Sequence, residues 1–129
     1  IHKIILAKKN NAHRITLFGD GSPLRQFMYA GDLAKVIKRY VFEEQSNSFN
    51  VAPSVNLTVD DIARIALRAC DAQYMSIIYD PSKPNGQHRK DVDTKALMRA
   101  MPGIKFLDLA SGIRKIYNIE MAGISLYGK

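Results

Sequence analysis

The chain has 129 residues, 47% hydrophobic and 24% charged, the balance of an ordinary globular domain rather than a disordered segment. Its apolar stretches are short and broken by Lys or Asp, far below the ~20 residues a bilayer-spanning helix needs, so no membrane partner is expected. Nineteen Lys and Arg against twelve Asp and Glu give +7, a field that concentrates anions without choosing among nucleotides, nucleic acids and anionic lipid.

Residues 1–9 place Ile1, Ile4, Ile5 and Ala7 on one side and Lys on the other, the pattern of an amphipathic helix that Asn10 and Asn11 end. This start has no initiator Met, long apolar run or cleavage site and does not resemble a signal peptide. It reads as a chain entered mid-helix. Residues 15–18 read as a short strand closed by the turn Gly19-Asp20-Gly21-Ser22-Pro23, and 25–29 as a second extended run. Gly31 and Asp32 then offer an N-cap to a helix through about residue 44, with Leu33, Val36, Ile37, Tyr40 and Val41 at helical spacing.

Residues 49–52 alternate and stop at Pro53, as a strand does. Thr58 stands three positions before Asp61, a carboxylate variant of the capping box, ahead of a helix with Ile62, Ile65, Ala66 and Ala69 as its apolar stripe. Residues 75–79 form the next strand, and 81–90, with Pro81, Pro84, Gly86 and four basic residues counting His88, an exposed loop. Asp93 or Thr94 caps a short helix to about Met101, Asp108 starts a last helix to about Met121, and the tail beyond Gly123 is expected to fray. Alternating strands and helices give an α/β fold class. Such a sheet ordinarily opens on a strand and a Gly-rich phosphate turn, and neither is present, so the chain reads as the back half of something larger.

Catalytic and metal signatures are missing from the sequence. His2, His13 and His88 are far apart, and no two of them share helical spacing with a carboxylate, so no metal site is expected. Cys70 stands alone, which excludes an internal disulfide and fits a reducing compartment; as a small buried apolar side chain it needs no further role. The sequon Asn56-Leu57-Thr58 then has no glycosylation to receive. The basic residues are scattered rather than striped, which argues against nucleic acid. Two features remain. Arg25 follows the Gly19–Pro23 turn, where its guanidinium can fork onto phosphate oxygens or pair with a nearby carboxylate. The basic loop 81–90 is either a ligand contact or a solvated connection.

Residues 15–34 contain Phe18-Gly19-Asp20-Gly21, Arg25-Gln26-Phe27 and Asp32-Leu33-Ala34. They resemble the segment of extended short-chain dehydrogenases that runs from Trp-Gly-x-Gly through Arg-x-Phe to an Asp-Leu-Ala helix start, a segment shared by many nucleotide-sugar epimerases and dehydratases. Residues 79–90, Tyr-Asp-Pro-Ser-Lys-Pro-Asn-Gly-Gln-His-Arg-Lys, are similar to the narrower Asp-x-Ser-Lys-Pro-Asp-Gly-x-x-x-Lys loop of the GDP-L-fucose synthases. The order and spacing match over essentially the whole chain.

The resemblance implies that 1–129 is the nucleotide-sugar-binding C-terminal domain of a larger enzyme, with 49–52 extending the sheet of an absent N-terminal Rossmann half. It implies a GDP-sugar substrate contacted by Lys3, Phe18, Arg25, Asn85 and Lys90. Phe18 replaces the family's Trp and lacks an indole N–H; Asn85 replaces Asp, losing a charge and keeping an acceptor. The implied reaction converts GDP-4-keto-6-deoxy-mannose to GDP-L-fucose by two epimerisations and an NADPH-dependent hydride transfer. The Ser-Tyr-Lys set and the NADP(H) site then lie outside this chain, which alone is inactive, binds no cofactor and carries no catalytic residue. A cytoplasmic homodimer is the implied full-length state. Another nucleotide-sugar epimerase or dehydratase, and a basic anion- or nucleic-acid-binding module, are the alternatives.

Overall fold

The computed structural model describes residues 1–43 and 46–123. The expected frayed tail and the far end of the second helix at Glu44 lie outside the described residues. In chain order the elements are α1 (His2–Lys9), β1 (Arg14–Phe18), β2 (Leu24–Arg25), α2 (Ala30–Phe42), β3 (Leu57–Thr58), α3 (Val59–Ala69), β4 (Ser76–Asp80), β5 (Arg89–Lys90), α4 (Lys95–Ala100) and α5 (Leu109–Met121). The fold is mixed α/β, with two small sheets. β1 and β4 form a parallel pair, and β2 lies between an antiparallel β3 and a parallel β5. No described helix is long and apolar enough to cross a membrane.

The main core gathers Ile4 and Ile5 of α1, Ile15 of β1, Ala66 and Leu67 of α3, Met75, and Ile113 and Tyr117 of α5. Removing these side chains from water is what holds three helices against the β1–β4 ladder. Cys70 lies within this core, fully buried as expected, and burial pushes its thiol pKa up. Lys8 ties the layer together: its Nζ donates to the Cys70 carbonyl and to the Tyr117 hydroxyl, each at 2.9 Å. A cation there suits the negative end of α3, whose last carbonyls lack helical partners. A second, smaller core joins Val36 of α2 to Leu97 and Met101, with Tyr40, Phe49, Val51 and Phe106 around them.

Local signals place the helix ends well. Asn10 caps α1 and Asn11 takes a left-handed φ of 52°. At α3 the capping box is present: Thr58 Oγ1 accepts from the Asp61 N–H at 3.0 Å, and Asp61 Oδ2 accepts from the Thr58 N–H at 3.3 Å. Asp108 caps α5 through the Ser111 N–H at 2.9 Å. The buried face of α3 is rotated from expectation, with Ala63, Ala66, Leu67 and Ala69 inside and Ile62 and Ile65 half-buried.

Two expectations are corrected. Residues 49–52 belong to no strand among the described residues: Asn50 Nδ2 donates to the Asp93 carbonyl at 3.2 Å, and Phe49 and Val51 pack on the second core. The run 25–29 shrinks to a strand ending at Arg25. Gln26 leaves the ladder, donating to the Pro53 carbonyl at 3.0 Å and accepting from the Val92 N–H at 3.0 Å.

Asp32 is not a cap either. α2 begins at Ala30 with Tyr29 as N-cap, and Asp32, 2% exposed, accepts from Lys35 Nζ at 2.9 Å and from the Leu107 N–H at 2.6 Å. Desolvation opposes its ionisation, but those two donors prevail and hold its pKa below the ordinary carboxylate value. A carboxyl that ionises more readily folded than unfolded adds stability above about pH 3.9, and that contribution is lost as pH falls through the lower folded value. Asp32→Asn should therefore unfold at lower urea than the wild type at pH 7, and the gap should close as the pH is taken down towards 2.

Candidate functional site

Parallel strands end on the same side, so the segments leaving β1 and β4 emerge together although they are distant in sequence. Phe18 is the register partner of Asp80, and the Gly19 N–H donates to the Asp80 carbonyl at 2.9 Å. From this edge spring the glycine turn 19–23 and the basic loop 81–88, the position where open α/β sheets bind ligands.

The two segments are then stitched together. Asn85 Oδ1 accepts from the Asp20 N–H at 2.8 Å, and the His88 carbonyl accepts from the Leu24 N–H at 2.8 Å. β2 and β5 continue the join with Leu24 opposite Arg89 and Arg25 opposite Lys90. Register partners in a ladder project on one face of the sheet, so Arg25 and Lys90 share a side.

Alternation along β5 separates two kinds of cation. Arg89 forks onto Asp91, Nε to Oδ1 at 2.5 Å and Nη2 to Oδ2 at 3.0 Å, and this partner holds the Asp91 carboxyl below its ordinary pKa. Arg25 is half-buried, and its Nη1 donates to the Leu24 carbonyl at 2.7 Å. Among the described residues neither Arg25 nor Lys90 pairs with a carboxylate. The carboxylate pairing left open for Arg25 is therefore not made. Two cations without counter-charge on one face attract an anion from outside.

Loop 81–90 is exposed throughout, as expected, and begins with Asp80 Oδ1 accepting from the Ser82 N–H at 3.1 Å and hydroxyl at 2.6 Å. Phe18 closes the other flank. Its ring is 61% exposed and carries Lys3 Nζ 5.1 Å from its centroid, while the same ammonium donates to the Thr16 carbonyl at 2.6 Å. A rigid, uncovered aromatic face beside a cation suits stacking against a flat ring. Contacts thus run from Phe18 through Gly19 to Asn85, through Gly86 to Arg25, and across the ladder to Lys90. Lys3 joins at the Phe18 end. Asp20 sets a negative charge on this rim; Ser22 donates to it and holds its pKa below the ordinary value.

The support behind the turn comes from residues distant along the chain, with no local signal. Tyr79 donates its hydroxyl to Asp60 Oδ1 at 2.6 Å, and Arg64 Nε meets Asp60 Oδ2 at 2.7 Å. Burial, then the bond to Asp60, pushes the Tyr79 phenol up to about 12. Asp60 stands in the first turn of α3, where its spacing to Arg64 is legible in the sequence and its link to Tyr79 is not. The turn also closes α3: the Pro23 and Gly21 carbonyls accept from the Val59 and Asp60 N–H groups at 2.9 and 3.0 Å. With those amides taken, this glycine turn and helix do not fit a dinucleotide pyrophosphate, which needs free N–H groups at a helix start. Asn56 of the sequon has its carboxamide buried.

Residues 1–52 match the NAD dependent epimerase/dehydratase family. Over 118 residues the chain is 34% identical to a GDP-L-fucose synthase of Dictyostelium discoideum, covering 89% of this chain and 36% of that protein. Over 117 residues it is 31% identical to a GDP-L-colitose synthase of Yersinia pseudotuberculosis, covering 89% of this chain and 37% of that protein. The chain thus spans little more than a third of the curated relatives it matches. Among solved structures, a GDP-L-fucose synthetase from Naegleria fowleri bound to NADP superposes with a TM-score of 0.85 at 23% identity, over 95% of this chain and 38% of that one.

Proposed function

We propose that this chain, which is homologous along most of its length to the GDP-L-fucose synthases, supplies the nucleotide-sugar side of an NADP-dependent 3,5-epimerase/4-reductase that makes GDP-L-fucose. The observation that carries the reading is the placement of Arg25 and Lys90 as register partners, neither paired with a carboxylate among the described residues, with the exposed Phe18 at the start of the same glycine turn. In this reading Arg25 forks onto the diphosphate, Lys90 holds a neighbouring polar group, Phe18 lies against a ring, Lys3 supports Phe18 and adds charge, and Asn85 completes the rim. The two curated relatives' names share GDP and differ in the sugar, which supports a site that grips the nucleotide through common chemistry.

Catalysis and NADP(H) binding belong, in this proposal, to a further N-terminal Rossmann portion, as do the contacts of a cytoplasmic homodimer. Residues 49–52 add a strand to that portion's sheet. The outer face of α2 supports this docking, since Ile37, Val41 and Phe42 are 54%, 63% and 76% exposed on one helix, an uncovered apolar surface of the kind that marks an interface.

The test is ligand protection of the intact protein against heat. A ligand present at a hundred times its Kd stabilises the folded state by about 2.7 kcal/mol, so GDP should raise the unfolding midpoint by several degrees. UDP and dTDP at equal concentration should raise it less. Equal protection by all three would make the site a general nucleotide-sugar site, and protection by none would remove the anion-site reading.

A further inference from the structure

Asn85 holds a place that a side chain touching substrate would not need. Its Oδ1 is committed to the Asp20 N–H at 2.8 Å. The same carboxamide fills the space left by the missing side chain of Gly19: a Cβ there would sit 1.9 Å from Oδ1 and 2.8 Å from Cγ. Gly19 and Gly86 flank this contact with φ of 76° and 73°, backbone that glycine adopts without strain. Immediately beyond, the open side of Gly86 faces Arg25, with Nη2 3.5 Å from where a Cβ would lie. From His88 onward the loop is laid against β2, which fixes Lys90 opposite Arg25. The Asn85-Gly86 pair is therefore a wedge between the glycine turn and the Arg25 guanidinium.

We propose that Asn85 is a positioning residue that acts on the ligand through Arg25: by accepting from Asp20 it seats the basic loop on the turn and sets where the guanidinium points. The inference rests on the nucleotide-sugar reading of the site and narrows it, because it takes Asn85 out of direct contact. It also accounts for an Asn serving where the resembled loop has Asp. The wedge needs an acceptor at this point, which either residue supplies, and does not need a charge.

A double-mutant cycle in the intact protein tests it, with GDP titrated calorimetrically against wild type, N85A, N85D, R25A and N85A/R25A. One exposed hydrogen bond governs the effect, so N85A should weaken GDP about three- to tenfold, while N85D should stay within about threefold of wild type. In the R25A background N85A should change affinity less than about twofold, because the group it positions is gone. Equal N85A effects in the two backgrounds would mean Asn85 meets the ligand itself and would overturn the inference. So would an N85A protein that binds as wild type while R25A is weakened. If R25A binds GDP as tightly as wild type, the anion-site reading fails and this inference with it. Thermal unfolding of the same proteins keeps the readout clear of stability: N85A should melt near wild type, since its side chain is exposed.

Discussion

Arg25→Ala in the intact enzyme should raise the KM for the GDP-sugar about tenfold to a hundredfold and leave kcat changed far less. The range follows from hydrogen bonds to a charged group, worth about 1.5–3 kcal/mol each time a good one is lost. The diphosphate is bound in the ground state and the transition state alike, so removing its anchor weakens binding uniformly and spares the chemical step. Arg25→Lys should recover only part of the loss, since an ammonium keeps the charge but not the fork. Folding stability should move little, because the guanidinium donates only to the Leu24 carbonyl and pairs with no described carboxylate. A variant with wild-type KM and a lowered melting temperature would make Arg25 a structural residue and end the proposed site.

The second large effect is on stability. Gly21→Ala should cost about 3–4 kcal/mol in urea unfolding. Gly21 has φ of 82°, and an L-residue in the left-handed region costs about 1–2 kcal/mol. Its new Cβ would also lie 2.7 Å from Tyr79 Cε1 and Cζ and 2.9 Å from Oη. The ring cannot swing aside freely, because its hydroxyl is held by Asp60 at 2.6 Å, and losing a bond to a carboxylate costs about another 1.5–3 kcal/mol. Backbone at Gly21 is also committed, since its carbonyl caps α3 through the Asp60 N–H. In a Tyr79→Ala background the collision is gone, and Gly21→Ala should then cost only the conformational part, about 1–2 kcal/mol. A full-sized cost in that background would show that Tyr79 is not what Gly21 makes room for.

Both predictions depend on one arrangement that was half legible beforehand. The glycine turn, the basic loop and the Arg between them stand out in the sequence. Their meeting does not. Asn85 and Asp20 are separated by 65 positions, and nothing local in either segment indicates that β1 and β4 run parallel and in register. The same holds for Asp32, whose place near a helix start favoured a cap, while beside the local Lys35 its other partner, Leu107, is 75 positions away. It holds again for Asp60, which serves its helix through Arg64 and a distant strand through Tyr79.

What the amino-acid order determined by itself are the features satisfied within a few residues: the Thr58–Asp61 box, the Asp108 cap, the Asn10-Asn11 stop, the turn at Gly19–Pro23 and the exposure of loop 81–90. The caps pair a side chain with a backbone group three positions away, the stop and the turn rest on φ values that few residues tolerate, and the loop follows its Pro, Gly and charged content, so each cause lies inside the window in which it is read. Tertiary structure alone decided that 49–52 lacks a ladder partner among the described residues, that only Val36 of the α2 stripe lies deep in the second core, and that Arg25 faces Lys90. Those outcomes turn on which distant surface arrives to pair or to cover, and propensity and periodicity carry no record of it.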